Sequence, residues 1–457
     1  MGEWKRVKIS QFLKEREGRY DPDDKAVLGL KRLNKIDFSG EIHLSDKGSK
    51  TDMIIVEPGD LVISGINVSK GALAVYHGEE PITATIHYSS YAFDERQIDI
   101  DYFKRFVRSL SFVQTLKDQV KGGIKTEIKP KHFLPLEIHL PDIKSQKEIV
   151  SFFKRIENEM GYLSGEITHQ QSFLKQLRQQ ILQDAIEGKL TTKWRDKHPE
   201  LIRGDNHASK LLEKIKAEKE RLIKERNTST KLSARIKKDK PLAPIADDEK
   251  PFDLPDGWVW CRLGEIATLI TKGSSPNWQG IRYVDRDSGV RFITSKNVDF
   301  YKVDLTNESF VEKRFNQIEP RSILSYGDIL TNIVGASIGR TAIYELNEIA
   351  NINQAVCLIR LGTKLIDKTF LLHWMNSPVL VAKMHEDEFA PGRANLSMNN
   401  VANFLLPVAS LAEQRAIVER VDKLTAMIDE LEKQVSERKE QSEMLMQSVL
   451  REAFAKG

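Results

Sequence analysis

The chain has 457 residues, 40% of them hydrophobic and 30% charged, with a net charge of +4. That length holds roughly two to four domains with real cores. The small net charge does not by itself argue for nucleic acid, and Cys261 and Cys357, the only cysteines, exclude a disulfide framework or a cysteine-rich zinc site. No apolar run approaches a membrane span, and Met1-Gly2-Glu3-Trp4-Lys5-Arg6 does not read as a signal peptide, so a cytoplasmic protein with no membrane partner is expected.

Residues 1–141 read as an α/β unit. Strand-like runs at Met53-Ile54-Ile55-Val56, Leu61-Val62-Ile63-Ser64 and Ala72-Leu73-Ala74-Val75-Tyr76 are parted by turn residues, and one helix is expected from Tyr102 to Val120, stopped by Gly122-Gly123. A long helix follows, from about Lys144 to Glu187, inside a segment 142–190. Residues 191–253 form a linker: Trp194-Arg195-Asp196, then a lysine-rich helical run at Leu211–Glu220, then a Pro-containing tether. From Lys210 to Lys240 basic residues outnumber acidic ones by about seven. That run is either a solvated helix face with a flexible tether or a nonspecific contact to phosphate or a partner subunit. A second unit, 254–409, opens at Leu254-Pro255-Asp256-Gly257-Trp258, and a second long helix, 410–457, closes the chain.

The two long helices are copies of one another. The first carries an apolar seam at Ile149, Phe153, Ile156, Met160, Leu163, Ile167, Leu174, Leu177 and Ile181; the second at Ile417, Val421, Leu424, Ile428, Leu431, Val435, Leu445 and Val449. Steps of four and three make this the seam of a coiled coil. Ile149 and Ile417, Ile167 and Val435, and Ile181 and Val449 are each 268 apart, and both seams lapse to a polar residue at one step, Gln170 and Arg438. Asp142 and Ser410, again 268 apart, are placed to cap the two helices. The same offset relates Gly59-Asp60-Leu61 to Gly327-Asp328-Ile329 and Tyr76 to Tyr344. Trp4-Lys5-Arg6 echoes Trp260-Cys261-Arg262 at 256, which implies about twelve extra residues early in the second unit. The fold expected is therefore an α/β (α+β) tandem repeat, two globular units each followed by a long helix.

Helices of roughly 44 residues are ~65 Å long and share one register, so they can pair. Ile149, Phe153, Ile156, Leu163, Leu177, Ile181, Ile417, Val421, Leu424, Leu431, Leu445 and Val449 are the expected helix-pairing residues. A parallel pair would crowd both units at one end. An antiparallel pair would set one unit at each end about a pseudo-two-fold axis, which duplex DNA also possesses. Polar loops in each unit suit base reading by Arg, Lys, Asn, Gln and Ser. The candidates are Lys31, Arg32, Lys35, Lys70, Lys125 and Lys129 in the first unit, and Lys272, Ser274, Ser275, Lys296, Asn297, Arg340, Asn353, Gln354, Arg393 and Asn395 in the second.

Taken together, Leu-Pro-Asp-Gly-Trp at 254–258, Gly327-Asp328-Ile329-Leu330, Ile338-Gly339-Arg340 with Ile352-Asn353-Gln354-Ala355, Leu411-Ala412-Glu413-Gln414-Arg415 and the run Ile181–Leu190 resemble the specificity subunits of type I restriction–modification enzymes. The resemblance implies two target recognition domains, each reading half of a split, asymmetric DNA site, and antiparallel helices that act as spacer. It also implies double-stranded DNA, two methyltransferase subunits and restriction (translocase) subunits as partners, with S-adenosylmethionine, ATP and Mg on those partners and no cofactor in this chain. The first unit departs most, having Thr85-Ile86 where the second has Asn353-Gln354. No phosphate-cradling Gly-rich loop is present, and Asn376-Ser377-Pro378-Val379 lacks the second proline and the aromatic of an adenine methylase motif. A non-catalytic DNA reader is expected; a structural coiled-coil adaptor with two protein-binding heads is the alternative.

Overall fold

The computed structural model describes residues 4–37, 40–65, 72–107, 109–119, 129–229, 242–388 and 395–454. It divides into unit 1, Met1–Gln170 with Gln434–Gly457, and unit 2, Gln171–Lys433. Among the described residues no helix is long and apolar enough to cross a membrane.

In unit 1, strands β1 (Lys5–Lys8), β2 (Leu13–Glu15), β3 (Arg32–Ile36), β4 (Ile42–Ser45), β5 (Met53–Val56), β6 (Leu61–Ser64), β7 (Leu73–Val75), β8 (Ile82–Thr85) and β9 (Tyr88–Phe93) precede helices α1 (Ile100–Phe106), α2 (Leu110–Gln119) and α3 (Pro130–Phe133). β10 (Glu137–Leu140) then leads into the long helix α4 (Ile143–Ile186). The strands form sheets of order β2-β9-β6-β7 and β4-β3-β8-β5, and β1 pairs with β10. β6 is buried along its whole length, as a central strand covered on both faces should be. The single helix expected from Tyr102 to Val120 is two helices. Ser109 breaks it, because its side chain accepts the Phe112 N–H at 3.2 Å and starts a new first turn.

In unit 2, α5 (Thr192–Lys197) and α6 (Ala208–Ser229) precede β11 (Val259–Arg262), α7 (Leu263–Ile266), β12 (Ala267–Lys272), β13 (Gly289–Ile293), β14 (Phe310–Glu312) and α8 (Phe315–Ile318). Then come β15 (Asp328–Asn332), β16 (Thr341–Tyr344), β17 (Ala350–Ile352), β18 (Val356–Leu361), α9 (Lys368–Met375), α10 (Pro378–Glu388), α11 (Met398–Asn403), β19 (Leu405–Val408) and the long helix α12 (Leu411–Phe454). The sheets run β12-β18-β15-β16 and β14-β13-β17, with β11 on β19. This repeats unit 1: a four-stranded antiparallel sheet in matching order, and a parallel pair, β3–β8 and β13–β17.

The duplication extends to individual hydrogen bonds. Gly59 donates to the Tyr76 carbonyl at 2.8 Å and Gly327 to that of Tyr344 at 2.7 Å. The Tyr76 hydroxyl donates to Glu80 O and the Tyr344 hydroxyl to Glu348 O. Gln146 accepts from the Asp99 N–H and Gln414 from the Asp367 N–H, each at 2.8 Å. The expected helix caps are present as well: Asp142 accepts from the Ser145 N–H and Ser410 from the Glu413 N–H. Asp60 and Asp328 are both buried, each against an arginine taken from a different place, Arg16 and Arg360. At the start of the second unit the expected correspondence needs correction. Ile9 donates to Leu136 O and Leu263 to Phe404 O, while Lys5 pairs with Leu140 and Val259 with Val408. Strand register thus makes Trp4 the counterpart of Trp258 rather than Trp260, and the extra stretch fourteen residues long.

Within each unit the two long-helix segments run antiparallel. In unit 1, Ser442 meets Met160 at 3.8 Å, and Val449 packs on the core that holds Val150 and Phe153. In unit 2, Arg178 binds Asp429 at 2.5 Å and Glu432 at 3.1 Å, whereas Thr191, past the end of α4, meets Glu413 near the start of α12. The pairing seam is narrower than expected. Phe153, Ile167, Leu174, Ile181, Ile417, Val421, Ile428 and Val435 are buried, and Ile149, Ile156, Leu424 and Val449 are half-buried. Leu163, Leu177, Leu431 and Leu445 are exposed, the last at 57%. One heptad position stays buried or half-buried along both helices, whereas the other, Ile149, Ile156, Leu163 and Leu177 in α4 and Ile417, Leu424, Leu431 and Leu445 in α12, is buried or half-buried near the start of each helix and exposed further along.

The lysine-rich helix α6 is not merely a solvated tether. Leu211, Leu212 and Ile215 pack into the core with Cys261 and Ile266. Lys216 pairs with Glu265 at 2.7 Å, and Lys219 donates to the Gly264 carbonyl.

Candidate nucleic-acid interface

The second-unit candidates gather because four strands of one sheet end at the same edge. β12 ends at Lys272 opposite Cys357, β15 ends at Asn332 opposite Val356, and β16 begins at Thr341 opposite Thr331. Lys272 closes β12, and Ser274 and Ser275 follow it. Asn353 and Gln354 precede β18, and Arg340 precedes β16. In strand order they form a row three inter-strand steps wide, about 14 Å at about 4.8 Å per step. That width is close to the roughly 12 Å of a DNA major groove. The parallel pair adds to it: Asn353 N–H donates to Ile293 O at 3.0 Å, which brings Ser295 and Lys296 alongside. Leu396 N–H donates to Ile333 O, so Asn395 adjoins the row.

The members differ in what their side chains do. Lys272, Lys296 and Asn395 are exposed, and Gln354 is half-exposed. Arg340 lies 3.5 Å from Asp299, a loose pair from which a phosphate or base can recruit the guanidinium. Ser274 accepts from Gln279 at 3.3 Å, and Asn353 accepts the Ala355 N–H at 3.0 Å, an Asx turn that leaves its amide donors for a ligand. Asn297 is different. It is buried, accepts from the Thr294 N–H and hydroxyl, and donates to the Asp304 and Asn307 carbonyls. It builds the loop rather than facing a groove, since a fully engaged amide has nothing left to offer a base.

In unit 1, Lys31, Lys35 and Lys129 are exposed. Arg32 donates to Gly48 O at 2.9 Å, and its Nε is buried with no hydrogen-bond partner. Lys35 lies on β3, the counterpart of β13, and so matches the stretch that carries Ser295. Lys70, Lys125 and Arg393 lie outside the described residues. Asp37, Glu41 and His43 bring ligand atoms within 4.8 Å of one another, but Asp37 closes a local turn by accepting the Glu41 N–H and lying 3.2 Å from His43.

Sequence reasoning missed the aromatic residues at the two margins of the row. Trp278 is 82% exposed, on a single 3-10 turn whose Gln279 bonds Ser274 and Glu319. Phe300 is 45% exposed at the other margin, where Tyr301 N–H donates to Thr341 O at 2.9 Å. The available signal was an aromatic within a Pro-Asn-x-x-Gly or Asp-x-x-Lys turn, where a core residue has no reason to stand. Asn376, in the segment compared above with a methylase motif, is buried; its amide holds Thr341 by both N–H and C=O. It therefore offers no pocket for an extruded base.

His373 lies behind the row, its Nδ1 3.3 Å from the Tyr301 hydroxyl and its Nε2 buried with no partner. Burial pushes the His373 pKa down to about 4, against a smaller opposing effect of Asp367. The unfolded chain binds the proton more readily, so this residue contributes stability above about pH 6.5 that is lost as pH falls towards 4. Wild type should lose up to about 3 kcal/mol more than His373→Gln between pH 6.5 and 4. Parallel urea titrations of the two proteins check this, and equal losses would show that His373 is not held neutral.

A second cluster ties the linker to the unit. Glu413, 0% exposed, accepts from Arg195 at 2.6 Å, from the Thr191 hydroxyl at 2.8 Å and from the Trp258 indole N–H at 2.8 Å. The carbonyl of Gly188, a residue at φ 70°, accepts from the same Arg195. A Cβ there would meet Pro255 at 2.7 Å and Arg195 at 2.9 Å. The Leu-Pro-Asp-Gly-Trp segment, the Trp-Arg of the linker, the glycine closing α4 and the Glu opening α12 are thus one packed knot.

A family model of the type I restriction modification DNA specificity domain matches residues 255–441. The EcoBI specificity subunit of Escherichia coli is 27% identical over 317 residues, 69% of this chain and 57% of its own length. The EcoAI subunit of the same species is 27% identical over 64% of this chain and 46% of its own. The chain thus spans about half the length of these curated relatives. Two solved structures share the fold at 16% identity over 99% of this chain. One belongs to a study of type I R-M complex assembly and conformational transition (TM-score 0.55, 97% of that chain); the other is the HsdS subunit of Thermoanaerobacter tengcongensis (TM-score 0.51, 96% of that chain). Residues 255–441 thus match the type I restriction modification DNA specificity domain, and the chain as a whole shares its fold with type I specificity subunits.

Proposed function

We propose that the chain is the DNA-reading, non-catalytic subunit of a type I restriction–modification enzyme. Each globular unit reads one half of a split, asymmetric site, and the long helices set the gap. The observation that carries the reading is the row formed by Lys272, Ser274, Arg340, Asn353 and Gln354, polar donors held at one sheet edge across about 14 Å. The docking part rests on large apolar side chains exposed along both long helices: Tyr162 and Met444 in unit 1 and Met427 in unit 2. Exposed residues of this kind suit partner subunits, and two methyltransferase subunits with restriction subunits are the partners proposed. S-adenosylmethionine, ATP and Mg then act on those partners.

The test is adenine-methylation mapping of host DNA with and without this chain. Loss of one split motif with a fixed gap is expected. Exchanging only residues 254–409 for those of another member should change one half of that motif and keep the other. If no motif disappears in an active host system, or if both halves change on exchange, the reading falls and the coiled-coil adaptor takes its place.

A further inference from the structure

The hairpin around Val298 and Val303 has a construction that base reading by polar groups does not call for. Val298 and Val303 bridge, Asp299 N–H donates to Lys302 O at 3.0 Å, and Asp304 N–H donates to Asn297 O at 2.7 Å. Buried Asn297 stitches the base of the hairpin through the carbonyls of Asp304 and Asn307. Asn332, at the end of β15, holds its other side through the carbonyls of Ser295 and Val298. At the tip, Asp299 accepts the Phe300 N–H at 2.9 Å. Tyr301 then turns back at φ 65°, the only non-glycine positive φ among the described residues. That conformation is uncommon for a bulky side chain and persists only where its surroundings impose it. Here they do: its N–H is fixed to Thr341, and its ring lies 5.6 Å from that of His373. The effect is to lay the ring of the tyrosine, a residue 39% exposed, against His373 and to set its neighbour Phe300, 45% exposed, beside Arg340 and at the margin of the polar row.

A loose loop would fold an exposed phenylalanine onto the surface. A hairpin fastened at its base and tip, with strain kept at the next residue, instead keeps nearly half of that residue in water. Nothing in the folding of unit 2 is gained by this. A stiff apolar tip next to groove-reading donors is the form of a wedge, which partly unstacks a base step and recovers the cost through contacts that the opened duplex permits.

We propose that Phe300 is a wedge residue of the second unit. It presses against a base step at the margin of the half-site, and Tyr301 is the positioning residue that aims it. The proposal rests on the DNA-reading function. It adds a contact that responds to how readily a step unstacks rather than to its hydrogen-bonding edge, so that flexible pyrimidine–purine steps are preferred at that position.

The test uses the full-length chain with the subunits that co-purify with it, and duplexes that carry the methylated motif with 2-aminopurine at successive positions of each half-site. Wild type should raise 2-aminopurine fluorescence at a position marginal to one half-site. Phe300→Ala should lose that rise and bind the unmodified duplex roughly tenfold more weakly, and Phe300→Trp should restore both. Phe300 is exposed, so Phe300→Ala is expected to melt as wild type does, which separates a missing wedge from a failed fold. Tyr301→Phe, which keeps the ring but not the hydroxyl facing His373, should broaden the rise over neighbouring positions. If Phe300→Ala binds with the wild-type fluorescence profile, the wedge is overturned while DNA reading stands. If wild type itself does not prefer the motif-bearing duplex to a scrambled one, DNA reading fails first.

Discussion

Replacing Glu413 with alanine should destabilise unit 2 by about 3–5 kcal/mol, the usual cost of stranding one partner of a buried ion pair. Its carboxylate accepts the Trp258 indole N–H and neutralises Arg195, whose side chain is 12% exposed. Removing it leaves a guanidinium and an indole N–H facing each other across a cavity, and the desolvation cost of both remains. Glu413→Gln should cost less, because an amide oxygen can still accept from Trp258 while the charge on Arg195 loses its counterpart. The duplication supplies an internal control. The residue 268 positions earlier is Ser145, whose hydroxyl donates to the Asp142 carboxylate at 3.1 Å; that carboxylate is exposed, so Ser145→Ala strands no buried charge and should cost about 1 kcal/mol. Hydrogen exchange resolved by segment checks both. Glu413→Ala should raise exchange in the linker 191–202 and in 255–262, whereas a rise spread evenly over the chain would mean that the knot is not the local tie described.

The knot also shows which parts of this molecule the sequence carries openly. A repeat is legible because two copies must satisfy the same backbone twice: the glycine turning at φ 88° in one copy and 84° in the other, the tyrosine whose hydroxyl reaches a carbonyl four residues on, the glutamine that caps a neighbouring helix. Such residues recur at one spacing, and that spacing was readable without coordinates. The helix seam was readable in period but not in width. Heptad spacing fixes which residues share a face; whether Leu163 or Leu445 is covered depends on how close the partner helix comes, and a seven-residue pattern is silent on that. The split of the Tyr102–Val120 helix hung on one hydroxyl, Ser109, which reads equally well inside a helix or as a cap. The reading row was half visible. Polar loops announce themselves by composition, but their assembly at one edge follows from the antiparallel order β12-β18-β15-β16, which joins residues as distant in sequence as Lys272 and Cys357. Asn297 illustrates the remainder. As a letter it is a good adenine reader; in place, its hydrogen bonds to Thr294, Asp304 and Asn307 make it part of the scaffold.

Gly273→Ala should blur one half of the methylated motif and leave the other half sharp. A Cβ on Gly273 would stand 1.8 Å from the Ile352 carbonyl oxygen and 2.3 Å from its carbon, and both are backbone atoms that no rotamer change can move. Ile352 is held in the parallel pair with Ile293, and Asn353 is tied to the Ile293 carbonyl, so that side of the clash cannot retreat without opening β13 from β17. The other side is the end of β12, paired through Lys272 with Cys357 and free to peel from its last residue onward. Lys272, Ser274 and Ser275 would therefore be displaced together, while Asn353, Gln354 and Arg340 keep their places. Overpacking at this site costs about 1–3 kcal/mol of stability, which a unit of this size withstands. A base edge no longer read costs a further ~1–3 kcal/mol of discrimination, so the affected positions should accept wrong bases roughly tenfold more readily. Methylation mapping in a strain carrying Gly273→Ala reads this directly, with Gly161→Ala as the control, since a Cβ at Gly161 meets nothing within 4 Å. A motif unchanged in both halves would mean that the Lys272–Ser275 loop takes no part in reading. A motif absent in both would mean that the clash unfolds the unit rather than shifting one segment of its edge.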